Sequence, residues 1–425
     1  MGIALRPKNK KRLRLWLALV LTMPFMTGCW DRLEIEQRAV ILGLSIDSEE
    51  SGQSDGSAAD DLGATDATNS GQVRTSDNNQ AFELTAQIAV PGRIPLGPGG
   101  GEGGGGGSAP RSAIWVLHST GRTIEDALAQ LQQRVADRLF LGHLRVIVVS
   151  EDFAKKQGVK NLTDFLLRNP AIRRTVWLVV SKGRASELMQ TAPPLERVPT
   201  LYLMSTMDHA AQAGKLPMAF FGKFVSQDVM MGRDPVLPYL EDVGKDSVNA
   251  SGLAFFKNDK MVGATPRPVD ILPYMELDGI KAGGYTIMVP VPGHTGTIMW
   301  HAMRRKKRIS VSIRNGVPHF VVKVHVDGNI EEKSDEGFTI DDPQLIHTID
   351  EKIATDATKN MEKFLTMTKE LQIDPIGFGE YVRARSRVFW DTNVKTKEKW
   401  EAMYPRTTMD IEVDVKTDRI GMKIT

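Results

Sequence analysis

The amino-acid sequence predicts a multidomain α+β protein of three domains. A mixed sheet with helices is expected in the N-terminal domain. An antiparallel sheet packed on a long helix is expected in the C-terminal one. Three observations point there. Apolar strand-like runs alternate with helical stripes between residues 39 and 200. Period-two patterns recur after residue 300. A helical stripe of about 28 residues, about 40 Å at 1.5 Å per residue, stands between two of those patterns.

The expected elements run in chain order. Ala39 to Ile46 (AVILGLSI), Ala81 to Val90 and Ser112 to Leu117 read as strands. Between them lie a Ser/Gly/Asp/Thr-rich insert at about 48–80 and a glycine tract at 97–108. Both are too poor in apolar side chains to order themselves. Thr123 starts a helix through Leu139, with Asp126 completing a capping box and Ile124, Leu128, Leu131, Val135 and Leu139 as its stripe. Leu144 to Val149 and Val176 to Val180 are apolar strands, separated by short helices at Glu151 to Lys156 and Leu162 to Leu167. Pro193, Pro194 and Pro199 mark the exit from this domain.

A small middle domain at 201–285 follows. It holds a helix over Tyr202 to Ala213, a hairpin turning at Lys257-Asn258-Asp259-Lys260 and a short helix over Val269 to Leu277. The C-terminal domain takes 286–425. Ile309, Val311 and Ile313, then Phe320, Val322, Val324 and Val326, then Ile411, Val413 and Val415 alternate with polar neighbours. Asp341 or Asp342 caps the long helix and Pro343 sits in its first turn.

The first 28 residues read as a lipoprotein signal peptide. Six basic residues precede an eleven-residue apolar run, Leu15 to Phe25, too short to span a bilayer, which takes about 20 residues. Met26-Thr27-Gly28 then lead to Cys29, the single cysteine. Lipidation is therefore expected on Cys29, with the mature chain starting there. Removing the signal leaves 48 basic against 52 acidic residues, about −4 in place of the formal +2. Net charge then gives no case for nucleic-acid binding. A disulfide within the mature chain and thiolate metal sites are excluded.

Enzyme motifs are not met. Gly99-Gly100-Gly101-Glu102-Gly103-Gly104 satisfies G-x-G-x-x-G only as low-complexity glycine, without the strand and helix that loop needs. His319 and His325, six residues apart on one strand, lie roughly 20 Å from each other and are expected to be exposed. Paired carboxylates such as Asp341-Asp342 are better explained by capping. No cofactor, metal or catalytic residue is expected. The dense basic run Arg304, Arg305, Lys306, Lys307 and Arg308 reads as a solvated turn entering a strand, or as a contact for anionic lipid or an acidic partner. Trp30, Asp31, Arg32 and Glu34, next to the acylated cysteine, are candidates for membrane or partner contact. Asp374-Pro375-Ile376-Gly377-Phe378-Gly379-Glu380 reads as a turn into a helix, with Phe378, Tyr381, Val388 and Phe389 packing behind it.

Several of these stretches carry a family likeness. CWDRLEIEQRAVILGLSID after the signal, GRTIEDALAQLQQRVADRLFLGHLRVIVVSEDFAKK, FLLRNPAIRRTVWLVVSKGRASELM, SGLAFFKNDKMVG and DPIGFGEYVRAR stand in order along nearly the whole mature chain. Together they resemble the Ger(x)C lipoproteins, the C subunits of spore germinant receptors. The resemblance implies three α+β domains and no catalysis. It implies partnership with integral-membrane A and B subunits in a nutrient-triggered germination response. It also places the protein, with its lipid anchor on Cys29, on the outer face of the inner spore membrane, meeting the germinant only indirectly. The competing expectations are a solute-binding lipoprotein that captures the germinant itself and a cell-envelope hydrolase.

Overall fold

In the computed structural model, residues 38–49, 81–90, 113–193, 196–244, 246–279, 284–334 and 342–420 are described, together with Trp16. The rest of the signal, Cys29 to Glu34, the 97–108 glycine tract and all but the first two residues of the 48–80 insert lie outside them.

Three strands open the chain: β1 (Arg38–Ser48), β2 (Phe82–Ala89) and β3 (Ile114–Gly121). Helix α1 (Ile124–Gln132) follows, and the Thr123 hydroxyl accepts the Asp126 N–H at 3.1 Å as the capping pattern requires. The expected helix to Leu139 ends seven residues early. The Gln132 side chain donates to the Val135 and Asp137 carbonyls and accepts the Leu139 N–H, holding the chain in a reversal. Residues 138–140 then form β4 (Arg138–Phe140), parallel to the start of β1. Pairing with β1 outweighs the helical stripe.

Strands β5 (Val146–Ser150) and β6 (Trp177–Ser181) are buried along their whole length. That is the mark of parallel strands covered on both faces. Between them lie α2 (Glu151–Lys156) and α3 (Lys160–Arg168). After β6 come α4 (Ala185–Leu188), α5 (Pro199–Gln212) and α6 (Phe221–Asp228). The α4 N-terminus is held by Asp47 at the end of β1, whose carboxylate accepts the Ala185 and Ser186 N–H groups at 2.6 and 2.9 Å. Three more strands, β7 (Val236–Asp242), β8 (Val248–Lys257) and β9 (Lys260–Ala264), extend the same sheet. Its order is β3-β2-β1-β5-β6-β7-β8-β9, with β4 paired to β1.

Helix α7 (Ile271–Asp278) leads to a second sheet of β10 (Thr286–Pro290), β11 (Thr297–Arg314), β12 (Val317–Lys333) and, after the long helix α8 (Pro343–Glu370), α9 (Phe378–Arg385) and α10 (Lys397–Met403), β13 (Thr408–Ile420). Helix α8 has the expected 28 residues, with Asp342 accepting the Gln344 N–H at its start. Strands β10, β11 and β12 are antiparallel, whereas β13 lies parallel to β12. The crossover through α8 returns the chain to the end of β12 where that strand began, so the next strand must run the same way.

The two cores share strands of the first sheet. Leu237, Ala254 and Phe256 enter the core of the first sheet, while Val236, Leu253 and Phe255 on the same two strands enter the core of the second. Period-two geometry thus lets β7 and β8 serve both. The contact tightens where Gly232, after α6, meets Gly379 in α9: a Cβ on Gly379 would stand 2.5 Å from the Gly232 Cα. Only glycine permits that approach of two backbones.

Candidate functional site

The sequence nominated two surfaces. Cys29, Trp30, Asp31, Arg32 and Glu34 lie outside the described residues. The basic run 304–308 is well placed and is not a turn: it occupies the middle of β11. Alternation splits it between faces. Arg304, Lys306 and Arg308 point outward, opposite Asp327, His325 and Lys323 of β12. Arg305 and Lys307 are half-buried on the other face. The Arg305 guanidinium lies 5.2 Å from the centre of the Tyr285 ring. Lys307 donates to the Leu277 carbonyl at 2.6 Å, covering an open carbonyl at the end of α7. Burial pushes the Lys307 ammonium down to about 8, although Asp278 pulls it back.

On the outer face of the second sheet, β13 supplies the opposite charge. Lys323 pairs with Glu412 at 2.5 Å, and Arg304 with Asp327 and Asp418 at 3.2 and 3.4 Å. His325 stands between Asp414 and Asp327, at 2.7 and 2.8 Å. This face is a lattice of crossed charges, with cations concentrated on β11 and carboxylates on β13. His319, expected to be exposed, is only 4% exposed. It sits at the start of the central strand, with Nδ1 2.8 Å from the Thr408 hydroxyl and Nε2 3.2 Å from Asp410. Pairing on both sides of β12 covers it. Val388, expected to pack, is 83% exposed.

His325 gives a pH prediction. Burial lowers its pKa, but the bonds to Asp414 and Asp327 outweigh that and raise it above the usual 6.5. The charged ring therefore stabilises the fold fully below pH 6.5, and this contribution is lost as pH rises through the raised value. The ring is partly exposed, so screening keeps the effect to about 1 kcal/mol or less. Urea unfolding of His325→Gln should differ from the parent on the acid side of that window and converge with it on the alkaline side.

An apolar groove of about 600 Å³ opens between α7, β10 and the middle of α8. Leu272, Ile287, Met288 and Ile353 line it, and Lys215 and Asn360 stand at it. The Glu276 carboxyl beneath is buried and takes the Tyr285 hydroxyl as its donor. Among the described residues no group of three or more His, Cys, Asp or Glu could hold a metal ion. Among them, too, no helix is long and apolar enough to cross a membrane.

A buried polar knot joins the two bodies, and the sequence showed only its glycine-rich half. Asp374 accepts the N–H groups of Gly377 and Gly379, both at 2.8 Å, and the Trp400 indole N–H at 3.0 Å. Its own N–H donates to the Asp234 carboxylate at 2.7 Å, and its carbonyl accepts the Asp234 N–H at 2.8 Å. Lys397 pairs with Asp234 at 3.1 Å. The turn expected from DPIGFG is therefore a joint.

Comparison with known proteins agrees with this two-sheet architecture. Residues 31–242 match the family described as the spore germination protein N-terminal domain. Residues 251–421 match the one described as spore germination B3/GerAC like, C-terminal. The chain belongs to the Ger(x)C family of spore germination proteins. Spore germination protein KC of Bacillus subtilis (strain 168) is 25% identical over 95% of each chain. Spore germination protein GerQC of Bacillus cereus is 24% identical over 80% of this chain and 90% of its own. The crystal structure of the GerBC protein superimposes with a TM-score of 0.55 at 16% identity, over 80% of this chain and 95% of that one. That likeness establishes the Ger(x)C fold here, α+β with its second sheet packed on a long helix.

Proposed function

We propose that this Ger(x)C protein is the lipid-anchored, non-enzymatic subunit of a spore germinant receptor. It meets the integral-membrane A and B subunits at the outer face of the inner spore membrane. The observation that carries the proposal is family membership across nearly the whole mature chain, joined to a signal that ends in the single cysteine, Cys29. Acyl chains on Cys29 confine the folded body beside its partners and raise their effective concentration. Trp30 is the residue proposed for headgroup contact, because tryptophan is favoured at that level, and Asp31, Arg32 and Glu34 are proposed for contact with a partner. The crossed charges of the second sheet, Lys306 and Arg308 among them, supply a face for a partner, selective because a mismatched charge would be penalised. The division of the chain at 200 and 285 is likewise proposed, with β7, β8 and β9 of the middle part extending the first sheet.

The test is co-purification. An affinity-tagged chain solubilised from spore inner membrane is expected to bring down two multi-span proteins, and Lys306→Glu with Arg308→Glu to reduce that recovery several-fold. Recovery of the chain alone from intact receptor membranes speaks against the assignment. The groove beside β10 favours a second reading, direct capture of a small apolar germinant. Calorimetric heat with candidate germinants, abolished by Ile287→Trp, would support it.

A further inference from the structure

We infer that the edge of the first sheet where β1, β4, β5 and β6 begin is a docking surface for anionic phospholipid headgroups, and that it sets the orientation of the body on the bilayer. Those four strands are parallel and start toward one end of the sheet in a staggered register: Arg38 of β1 is level with Arg138 of β4, while β5 and β6 begin opposite Gly43. Arg38, Arg138, Arg145, Arg173 and Arg174 stand toward that end, from three separated stretches of sequence. Residues 38–42, 137–146 and 169–176, which build the edge, contain one carboxylate, Asp137. Arg138, Arg173 and Arg174 are exposed. Arg38 lies over the Phe140 ring, 4.5 Å from its centre.

The opposite edge has the reverse sign. Glu83 at the start of antiparallel β2, Asp47 and Glu49 at the end of β1, Glu151 and Asp152 after β5, and Glu241 and Asp242 at the end of β7 lie there. Lys182 and Arg184 on that edge are engaged by Glu241 and Glu83. The sheet is thus polarised along its strands. An anionic surface attracts one end and repels the other, although the mature chain is net acidic. On the second sheet Arg304, Lys323 and His325 are already paired with carboxylates of β12 and β13.

The inference rests on the proposed anchor for one element, distance. Nine residue steps separate Cys29 from Arg38, and a fully extended chain covers at most about 3.3–3.6 Å per step, so β1 begins within about 30 Å of the acylated residue. The basic edge is the part of the described structure that follows that tether directly. Phosphate and carboxylate headgroups suit the exposed guanidiniums, which bind such oxygens in pairs.

The test uses the full acylated chain on phosphatidylcholine vesicles with or without phosphatidylglycerol. Acylated Cys29 does not react with maleimide, so an introduced cysteine reports alone. Thr175→Cys, beside Arg174, is expected to label several-fold more slowly on the anionic vesicles. Its rate should recover at molar salt, where screening acts within about 3 Å, and in Arg138→Glu with Arg173→Glu. Glu49→Cys, exposed at the opposite edge, should label equally throughout. Equal labelling of Thr175→Cys on both vesicles overturns the inference. Protection seen only in native spore membranes also overturns it, assigning the edge to a protein instead. Flotation separates the two proposals. A chain that floats only with anionic vesicles, with Thr175→Cys protected, sinks the anchor and keeps the edge; one that floats with neither sinks both.

Discussion

Replacing Cys29 with Ala is expected to move the protein from the membrane to the soluble fraction, by tenfold or more, and to depress nutrient-triggered germination. The physical reason is the partition of acyl chains. Each buried methylene contributes about 0.8 kcal/mol, so two or more chains hold a protein stably where one gives only marginal binding. The eleven apolar residues of the signal cannot replace them, because they fall short of the roughly 20 needed to span the hydrocarbon core. Fractionation of spores carrying Cys29→Ala checks this, and mass spectrometry of the amino-terminal peptide checks the chemistry. A peptide that begins at Cys29 with a thioether-linked lipid is the expected product. An unprocessed, unmodified terminus, or undiminished membrane retention of the variant, would refute anchoring while leaving family membership untouched.

The second large effect concerns the joint. Asp374→Ala should destabilise the protein by about 3–5 kcal/mol, measured by urea unfolding. Its carboxylate serves three buried N–H donors, from Gly377, Gly379 and Trp400. Removing it leaves them unsatisfied, at about 1–3 kcal/mol each before relaxation. The pH dependence has a definite sign. Burial pushes the Asp374 carboxyl up, against the N–H donors, and the neighbouring Asp234 charge adds to the rise, to about 6. The native state therefore takes up a proton more readily than the unfolded chain. The stabilisation this adds is complete below the ordinary carboxylate value near 3.8 and is lost as pH rises through about 6. Asp374→Asn, close in size and never charged, should lose that component, so its stability relative to the parent should improve from pH 4 to pH 7. An unchanged difference across that range would place the proton elsewhere in the knot.

Much of this fold could be read locally. The boundaries of α2, the length of α8 and the three period-two strands of the second sheet follow from patterns that a strand or helix imposes on its own neighbours. The family likeness was legible for the same reason, since it rests on contiguous strings. Misreadings arose where a distant segment intervened. The stripe from Thr123 to Leu139 is helical by period, but β1 claims its last residues as β4. The 304–308 run has the composition of a solvated turn, yet pairing with β12 holds it as strand. His319 carries a polar side chain at a position that pairing on both sides closes.

By itself, the sequence determined most of the succession of elements and the family, and it nominated a processing signal and a single acylation candidate. All of these are written within a few turns of chain, where propensity, capping and periodicity act. Only the tertiary structure decided that β7 and β8 serve two cores, that Asp234 and Asp374 meet across 140 residues, that β13 runs parallel to β12 and that Arg38 and Arg138 stand level with each other on neighbouring strands. Those facts depend on which segments come together when apolar surface is buried, and that choice is made by the whole chain at once.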